Sequence, residues 1–327
     1  MAFQEQDISF NDGDIRLAGT LLLPETPGPH PATVFIHGSG RAVRNDYRIT
    51  AAHFADQGIA GLIYGKRGCG ESDRDWLTMA DMEHSFPLWA EDAAAGLYHL
   101  KSHPEIDPQK IGFWGLSQGG WIGLLAASKT PEAASVISAS GPGVGGHEQM
   151  DFYIQNRLAS DGCTREEIEH ALTERKRTWD LVREIAVTGQ GWTELKELVL
   201  QASQTNWVDL VPAFLVNDID SLESNLRPFI EILAQDPDFR YDPVPALEGT
   251  TCPVLAIWGD ADTVVPVEKS VAIYRESLDR GGNDDLTIRV FPDAGHGLRL
   301  GDGSMAPGYI EAMTDWLRAR MGNKPTD

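Results

Sequence analysis

The run Lys110–Ala127, KIGFWGLSQGGWIGLLAA, decides how the rest of the chain is read. Ile111 to Trp114 has the apolar composition of a buried strand, and after Ser117 the apolar residues Trp121, Ile122, Leu124 and Leu125 recur with helical spacing. Ser117 falls on the turn between them, with Gly115 and Gly119 two residues away on either side. A strand that reverses at once into a helix strains the residue at its apex and leaves no room for side chains two positions away, so the pattern Gly-x-Ser-x-Gly has a steric reason. The turn lifts the serine hydroxyl out of the sheet and sets it at a helix N-terminus, where the dipole and free N–H groups favour negative charge.

Strands and helices alternate on both sides of this run. Toward the N-terminus, residues 7–23 read as an antiparallel hairpin turning at Asn11-Asp12-Gly13-Asp14. A strand over Ala32–Ile36 then ends in His37-Gly38-Ser39-Gly40. Next come a helix over Ile49–Gln57 stopped by Gly58, a strand over Ala60–Tyr64, the loop Gly65-Lys66-Arg67-Gly68-Cys69-Gly70-Glu71-Ser72, and a helix over Phe86–Lys101. Toward the C-terminus there are strands over Ala134–Ser138, Pro253–Trp258 and Leu286–Phe291, with helices over Val267–Leu278 and Tyr309–Met321. This alternation predicts a mostly parallel sheet covered by helices on both faces.

Between residues 144 and 248 the β-rich runs stop and helical stripes take over, opened by Thr164 and Glu167 at capping-box spacing. The organisation expected is a core over residues 1–143, a helical insertion over 144–248 and a second core part over 249–327. The insertion carries 20 acidic and 9 basic residues, half of the net charge of −22 in a third of the chain. Its aromatics, Tyr153, Trp179, Trp192, Trp207, Phe214 and Phe229, are expected mainly in its own small core, with one or two facing a cleft.

The charge argues against nucleic-acid and anionic-membrane partners, which need clustered Lys and Arg. No run approaches bilayer-spanning length, and the N-terminal MAFQEQDISFNDGD has no basic segment followed by an apolar one, so a cytoplasmic protein is expected. Cys69, Cys163 and Cys252 are odd in number and far apart, which fits reduced thiols. No Cys-x-x-Cys spacing occurs, and neither a metal nor a cofactor is expected. The loop at Gly65–Ser72 lacks the Gly-Lys-Ser/Thr ending of a phosphate-binding loop. Arg67 is read as bracing that loop through a carboxylate whose identity the sequence leaves open.

A serine hydroxyl needs a base to become a nucleophile, and the base needs a third group to hold its tautomer. His296, in Gly295-His296-Gly297, and Asp262, in Gly259-Asp260-Ala261-Asp262, each follow a predicted strand as Ser117 does. All three therefore emerge at the carboxyl edge of the sheet, where ligands bind in open α/β folds. Two backbone N–H groups must face the developing oxyanion, and Ser39, after the third strand, and Gln118, after the nucleophile, are the expected donors. His37 reads as shaping that loop.

With these five motifs in order, the chain resembles the α/β-hydrolase superfamily, whose triad runs nucleophile, acid, histidine; here that is Ser117, Asp262, His296. Within the superfamily it looks most like bacterial serine esterases and the dienelactone-hydrolase or prolyl-oligopeptidase-like catalytic domains. The family's spacing to Val265-Pro266 favours Asp262 over its neighbour Asp260 as the acid. The resemblance also implies that the insertion is a lid (cap). The activity expected is a carboxylesterase acting on a small or medium acyl ester through an acyl-enzyme. The alternatives are an aminopeptidase or amidase, an acyl-CoA thioesterase, and a hydrolase-like protein that binds without turnover. Substrate-binding residues and oligomeric state are not legible here.

Overall fold

Val34 and Phe35 are neighbours in one strand and point to opposite faces of a sheet, and that two-residue period organises the larger part of the molecule. The computed structural model describes residues 3–73, 83–202, 204–205, 220–236 and 240–321. Among them, eight strands form one sheet in the order β1-β2-β4-β3-β5-β6-β7-β8. They are β1 (Phe3–Asp12), β2 (Ile15–Pro24), β3 (His30–Ile36), β4 (Ala60–Tyr64), β5 (Ile106–Leu116), β6 (Val136–Ala139), β7 (Val254–Gly259) and β8 (Leu286–Phe291). β2 is antiparallel to β1 and β4, and all pairs from β4 to β8 are parallel. The expected mostly parallel sheet is therefore present, with the N-terminal hairpin forming one of its edges.

Phe35, Trp114, Ile137 and Ile257 face α1 (Arg48–Asp56) and α10 (Tyr309–Met321), and pack with Phe54, Met313, Trp316 and Leu317. The other face carries α2 (Phe86–Lys101), α3 (Gln118–Lys129), α8 (Val244–Gly249) and α9 (Val267–Arg280), each packed against its neighbour. Gly96 of α2 lies so close that an added Cβ would sit 3.2–3.4 Å from Leu62, Val34 and Phe10. Buried aromatic and branched side chains of this kind each contribute roughly 1.5–3 kcal/mol.

β5 starts at Ile106 rather than at Ile111, because Ile106 pairs with His30 before a register shift between His30 and Ala32. No apolar run marks that extension, so the sequence does not show it. β6 spans Val136–Ala139, two residues later at its start than expected.

The chain divides into two compact units: Met1–Gly145 with Asp242–Asp327, and Gly146–Tyr241. The second is helical, with α4 (Gly146–Ser160), α5 (Arg165–Thr188), α6 (Trp192–Ala202) and α7 (Leu222–Leu233) among the described residues. α8, most of which falls inside the insertion expected over 144–248, packs instead with α3 and α9 of the sheet unit. α5 is the spine, touching α4, α6 and α7. It opens with the Thr164–Glu167 capping box and closes on Gly189 in the left-handed conformation at φ 74°. Ala171, Thr178, Leu181, Val182 and Ile185 form its buried stripe, and Arg175 reaches Asp151 at 2.5 Å. Of the aromatics, Phe229 is core and meets Trp179 edge-on, while Tyr153, Trp179 and Trp192 are half-buried. Trp207 and Phe214 lie outside the described residues. No helix of the described residues is long and apolar enough to cross a membrane.

Candidate active site

Glycine makes the turn at Ser117 possible. A Cβ on Gly115 would lie 1.9 Å from the Gly119 carbonyl oxygen, and one on Gly119 2.5 Å from the Ile36 carbonyl oxygen, so neither position tolerates a side chain. Ser117 itself sits at φ 56°, ψ −119°, a region that L-residues avoid, and its N–H donates to the Ala139 carbonyl at 2.8 Å. That bond to the end of β6 holds the half-buried serine at the N-terminus of α3.

The acid and the base meet because β7 and β8 are paired up to Gly259 and Phe291, and the loops leaving them are bonded to each other. Ala261 N–H donates to Ala294 O at 3.0 Å, and Gly259 must be glycine because a Cβ there would lie 1.9 Å from that same oxygen. His296 Nδ1 is 2.9 Å from Asp262 Oδ2. The other oxygen of Asp262 accepts the Val264 and Val265 N–H groups at 2.8 and 3.0 Å. The Asp262 side chain is fully buried and its carboxylate satisfied, while the His296 ring keeps a quarter of its surface exposed. Asp260 instead caps the turn that follows β8, accepting the Asp293 N–H at 2.7 Å. With Nδ1–H donated to a carboxylate, His296 presents Nε2 as a free acceptor.

Ser117 shares the carboxyl edge with this pair. Its Oγ makes no hydrogen bond among the described residues, so the structure joins His296 to Asp262 but not to the serine. Gly297 N–H reaches Ser140 Oγ at 3.4 Å, which brings the histidine loop to the end of β6, the strand beside β5.

The loop after β3 lies on the serine turn: a Cβ on Gly38 would be 3.2 Å from Leu116 O and 3.8 Å from Ser117 Cβ. Ser39 is exposed, Gln118 is buried, and the backbone N–H of neither meets an acceptor among the described residues. His37 is buried and bonds the Tyr64 carbonyl through Nε2, stacking on Tyr47. Burial pushes its pKa down to about 4, so it is neutral at pH 7 and shapes the loop.

Arg67 finds its carboxylates: Asp92 takes Nε at 3.1 Å and Nη2 at 2.6 Å, and Asp12 takes Nη2 at 2.5 Å. Two residues escaped the sequence reading. Tyr47 accepts the Gly38 N–H on its hydroxyl at 3.0 Å, and Lys66 is buried with its ammonium among loop carbonyls. A lysine two residues after the wholly buried strand Ala60–Tyr64 is the signal that could have singled it out. His99 and His103 do have the His-x-x-x-His spacing of a zinc motif, but among the described residues no group of three metal-ligating side chains forms.

Residues 33–305 match the family described as Alpha/beta hydrolase family. Among curated proteins, the acyltransferase drtE of Aspergillus calidoustus is 29% identical over 227 residues, 68% of this chain and 67% of that protein. Acyl-coenzyme A thioesterase 1 of Mus musculus is 35% identical over 132 residues, 40% of this chain and 29% of that protein. The chain thus spans two thirds of the first relative and under a third of the second. Among solved structures, the Pyrococcus furiosus esterase Pf2001 superposes with a TM-score of 0.59 at 18% identity, covering 98% of this chain and 92% of that one.

Proposed function

We propose that this chain, which belongs to the alpha/beta hydrolase family, hydrolyses carboxylic esters through an acyl-enzyme on Ser117. The observation that carries the reading is the 2.9 Å bond between His296 Nδ1 and Asp262 Oδ2, which fixes the tautomer a general base needs on the sheet edge that carries Ser117. Ser117 Oγ attacks the ester carbonyl carbon while His296 Nε2 takes its proton, and Asp262 steadies the imidazolium. The N–H groups of Ser39 and Gln118 hold the oxyanion. Collapse breaks the bond to the alcohol, which leaves with the proton from His296. Water then attacks the acyl-enzyme by the same route, releasing the acid and restoring Ser117. These steps need only protein and water.

In this proposal the helical unit Gly146–Tyr241 is the lid that the family resemblance implies. The test is time-resolved release of p-nitrophenol from acetate, butyrate and octanoate esters, beside aminoacyl p-nitroanilides. Steady turnover of esters above anilides is expected. Faster anilide cleavage would make the protein an aminopeptidase or amidase, and a stoichiometric burst with no steady state would make it a binding protein or a slow acyl-enzyme.

A thioesterase is the second reading, favoured by the likeness to mouse acyl-coenzyme A thioesterase 1. The net charge of −22 opposes it, since it repels the phosphates of coenzyme A. Comparing butyryl-CoA with the butyryl thioester of N-acetylcysteamine, which has no phosphate, separates the chemistry from the charge.

A further inference from the structure

We infer that Lys66 is a positioning residue that sets both oxyanion donors at once, an inference that rests on the hydrolase reading of Ser117. Its side chain is buried, and its three N–H bonds have three acceptors: Gly38 O at 3.1 Å, Gly40 O at 3.2 Å and Gln118 Oε1 at 2.9 Å. The face of the Trp89 ring lies 3.9 Å from the ammonium. This cation is removed from water, and nothing in the serine mechanism itself uses it.

Peptide geometry gives these contacts their meaning. In a trans peptide the C=O and the following N–H point in opposite directions. Drawing the Gly38 carbonyl toward Lys66 therefore turns the Ser39 N–H away from Lys66 and fixes which way it faces. Gly38 is held from its other side too, its N–H donating to Tyr47 Oη at 3.0 Å. A glycine loop has little torsional preference of its own, and Gly40 sits at φ 87°, so without such clamps the Gly38–Ser39 peptide is free to flip. The third bond reaches the side chain of Gln118, whose backbone N–H is the second donor. One ammonium therefore ties together the two loops that must present N–H groups to a single oxygen. Its positive charge also lies behind the Ser39 N–H, on the carbonyl side of the same peptide, and a charge that is not solvated by water favours a developing oxyanion.

The test compares wild type, Ser117→Ala, Lys66→Met and Lys66→Gln on p-nitrophenyl butyrate. In parallel, fluorine NMR measures affinity for an alkyl trifluoromethyl ketone, which adds to the serine and forms an oxyanion without turnover. Lys66→Met is expected to lower kcat by about 10²–10³, the usual cost of losing an oxyanion donor, with KM within about threefold of wild type. Ketone affinity should fall by the same factor as kcat. Lys66→Gln keeps donors but no charge and should fall between the two. If Lys66→Met does not fold, the same parallel between kcat and ketone affinity is required of Lys66→Gln. A folded variant whose kcat and ketone affinity stay within about threefold of wild type would overturn the inference, as would a loss confined to KM. In either of those cases an inactive Ser117→Ala leaves the hydrolase reading standing. Wild-type hydrolysis by Ser117→Ala would remove both.

Discussion

Ser117 is held at a backbone conformation, φ 56° and ψ −119°, that costs of order 1–3 kcal/mol for a residue with a side chain. Ser117→Gly should relieve most of that strain and, after glycine's own entropic cost, stabilise the protein by about 1 kcal/mol while abolishing turnover. Urea unfolding and an ester assay on the same preparation check both halves. The acid offers a paired test. Asp262→Asn turns the group facing His296 Nδ1 into a donor, reverses the tautomer and should lower kcat at neutral pH by roughly 10⁴. Asp260→Asn touches only a turn cap and should cost less than about tenfold. The proposed triad, Ser117, Asp262 and His296, could be picked out from the sequence because the chemistry proposed for it demands those residue types next to small ones at the ends of strands. Lys66 and Tyr47 were not, because their roles lie in contacts with residues distant in the chain.

At the scale of elements, the strand–turn–helix around Ser117 closes only through its two glycines. Gly119→Ala would place a Cβ 2.5 Å from the Ile36 oxygen, and the expected result is loss of soluble, folded protein rather than a slow enzyme. The loop after β4 depends on an ion pair instead. Asp92 and Arg67 are both buried, so Asp92→Ala leaves a guanidinium with only Asp12 and should destabilise by about 3–5 kcal/mol in urea titrations. Apolar runs bounded by glycine and proline placed most strands and helices within a residue or two, as for Ala60–Tyr64 and Phe86–Lys101. The interleaved order β2-β4-β3 was not readable, since strand neighbours are chosen by distant pairing and not by local pattern. The carboxylates that hold Arg67 were hidden for the same reason: Asp12 ends β1, and Asp92 looks like any acidic residue on a helix.

For the molecule as a whole, pH couples to folding through one buried and one half-buried histidine. His37 falls to about 4 through burial, and His147 in the helical unit falls to about 4 through burial and the nearby charges of Arg175 and Arg240. As pH drops below about 6.5 the unfolded chain takes up protons that these folded histidines refuse, so stability present above that pH is lost as pH falls toward 4. Asp92 acts in the opposite sense: burial lifts its pKa to about 6 against the pull of Arg67, so its folded form takes up a proton first and offsets part of the loss. His37→Gln isolates one contribution. The stability gap between wild type and this variant should narrow by about 2 kcal/mol between pH 7.5 and pH 5, read by urea unfolding at each pH.

The direct pairing of β6 with β7 has a further consequence, for the order of assembly. Val136 lies beside Val254, yet the whole helical unit comes between them in the chain. Closing a flexible loop of that length costs about 4 kcal/mol in chain entropy, before any β6–β7 bond repays it. Compaction of Gly146–Tyr241 ahead of that pairing would lower the cost, because it removes most of the flexible chain to be closed. On the ribosome, Ser117 emerges with its strand and helix well before Asp262 and His296, and under the proposed mechanism the serine has no base until β7 and β8 dock. In that mechanism, hydrolytic competence is tied to synthesis past β8 and His296.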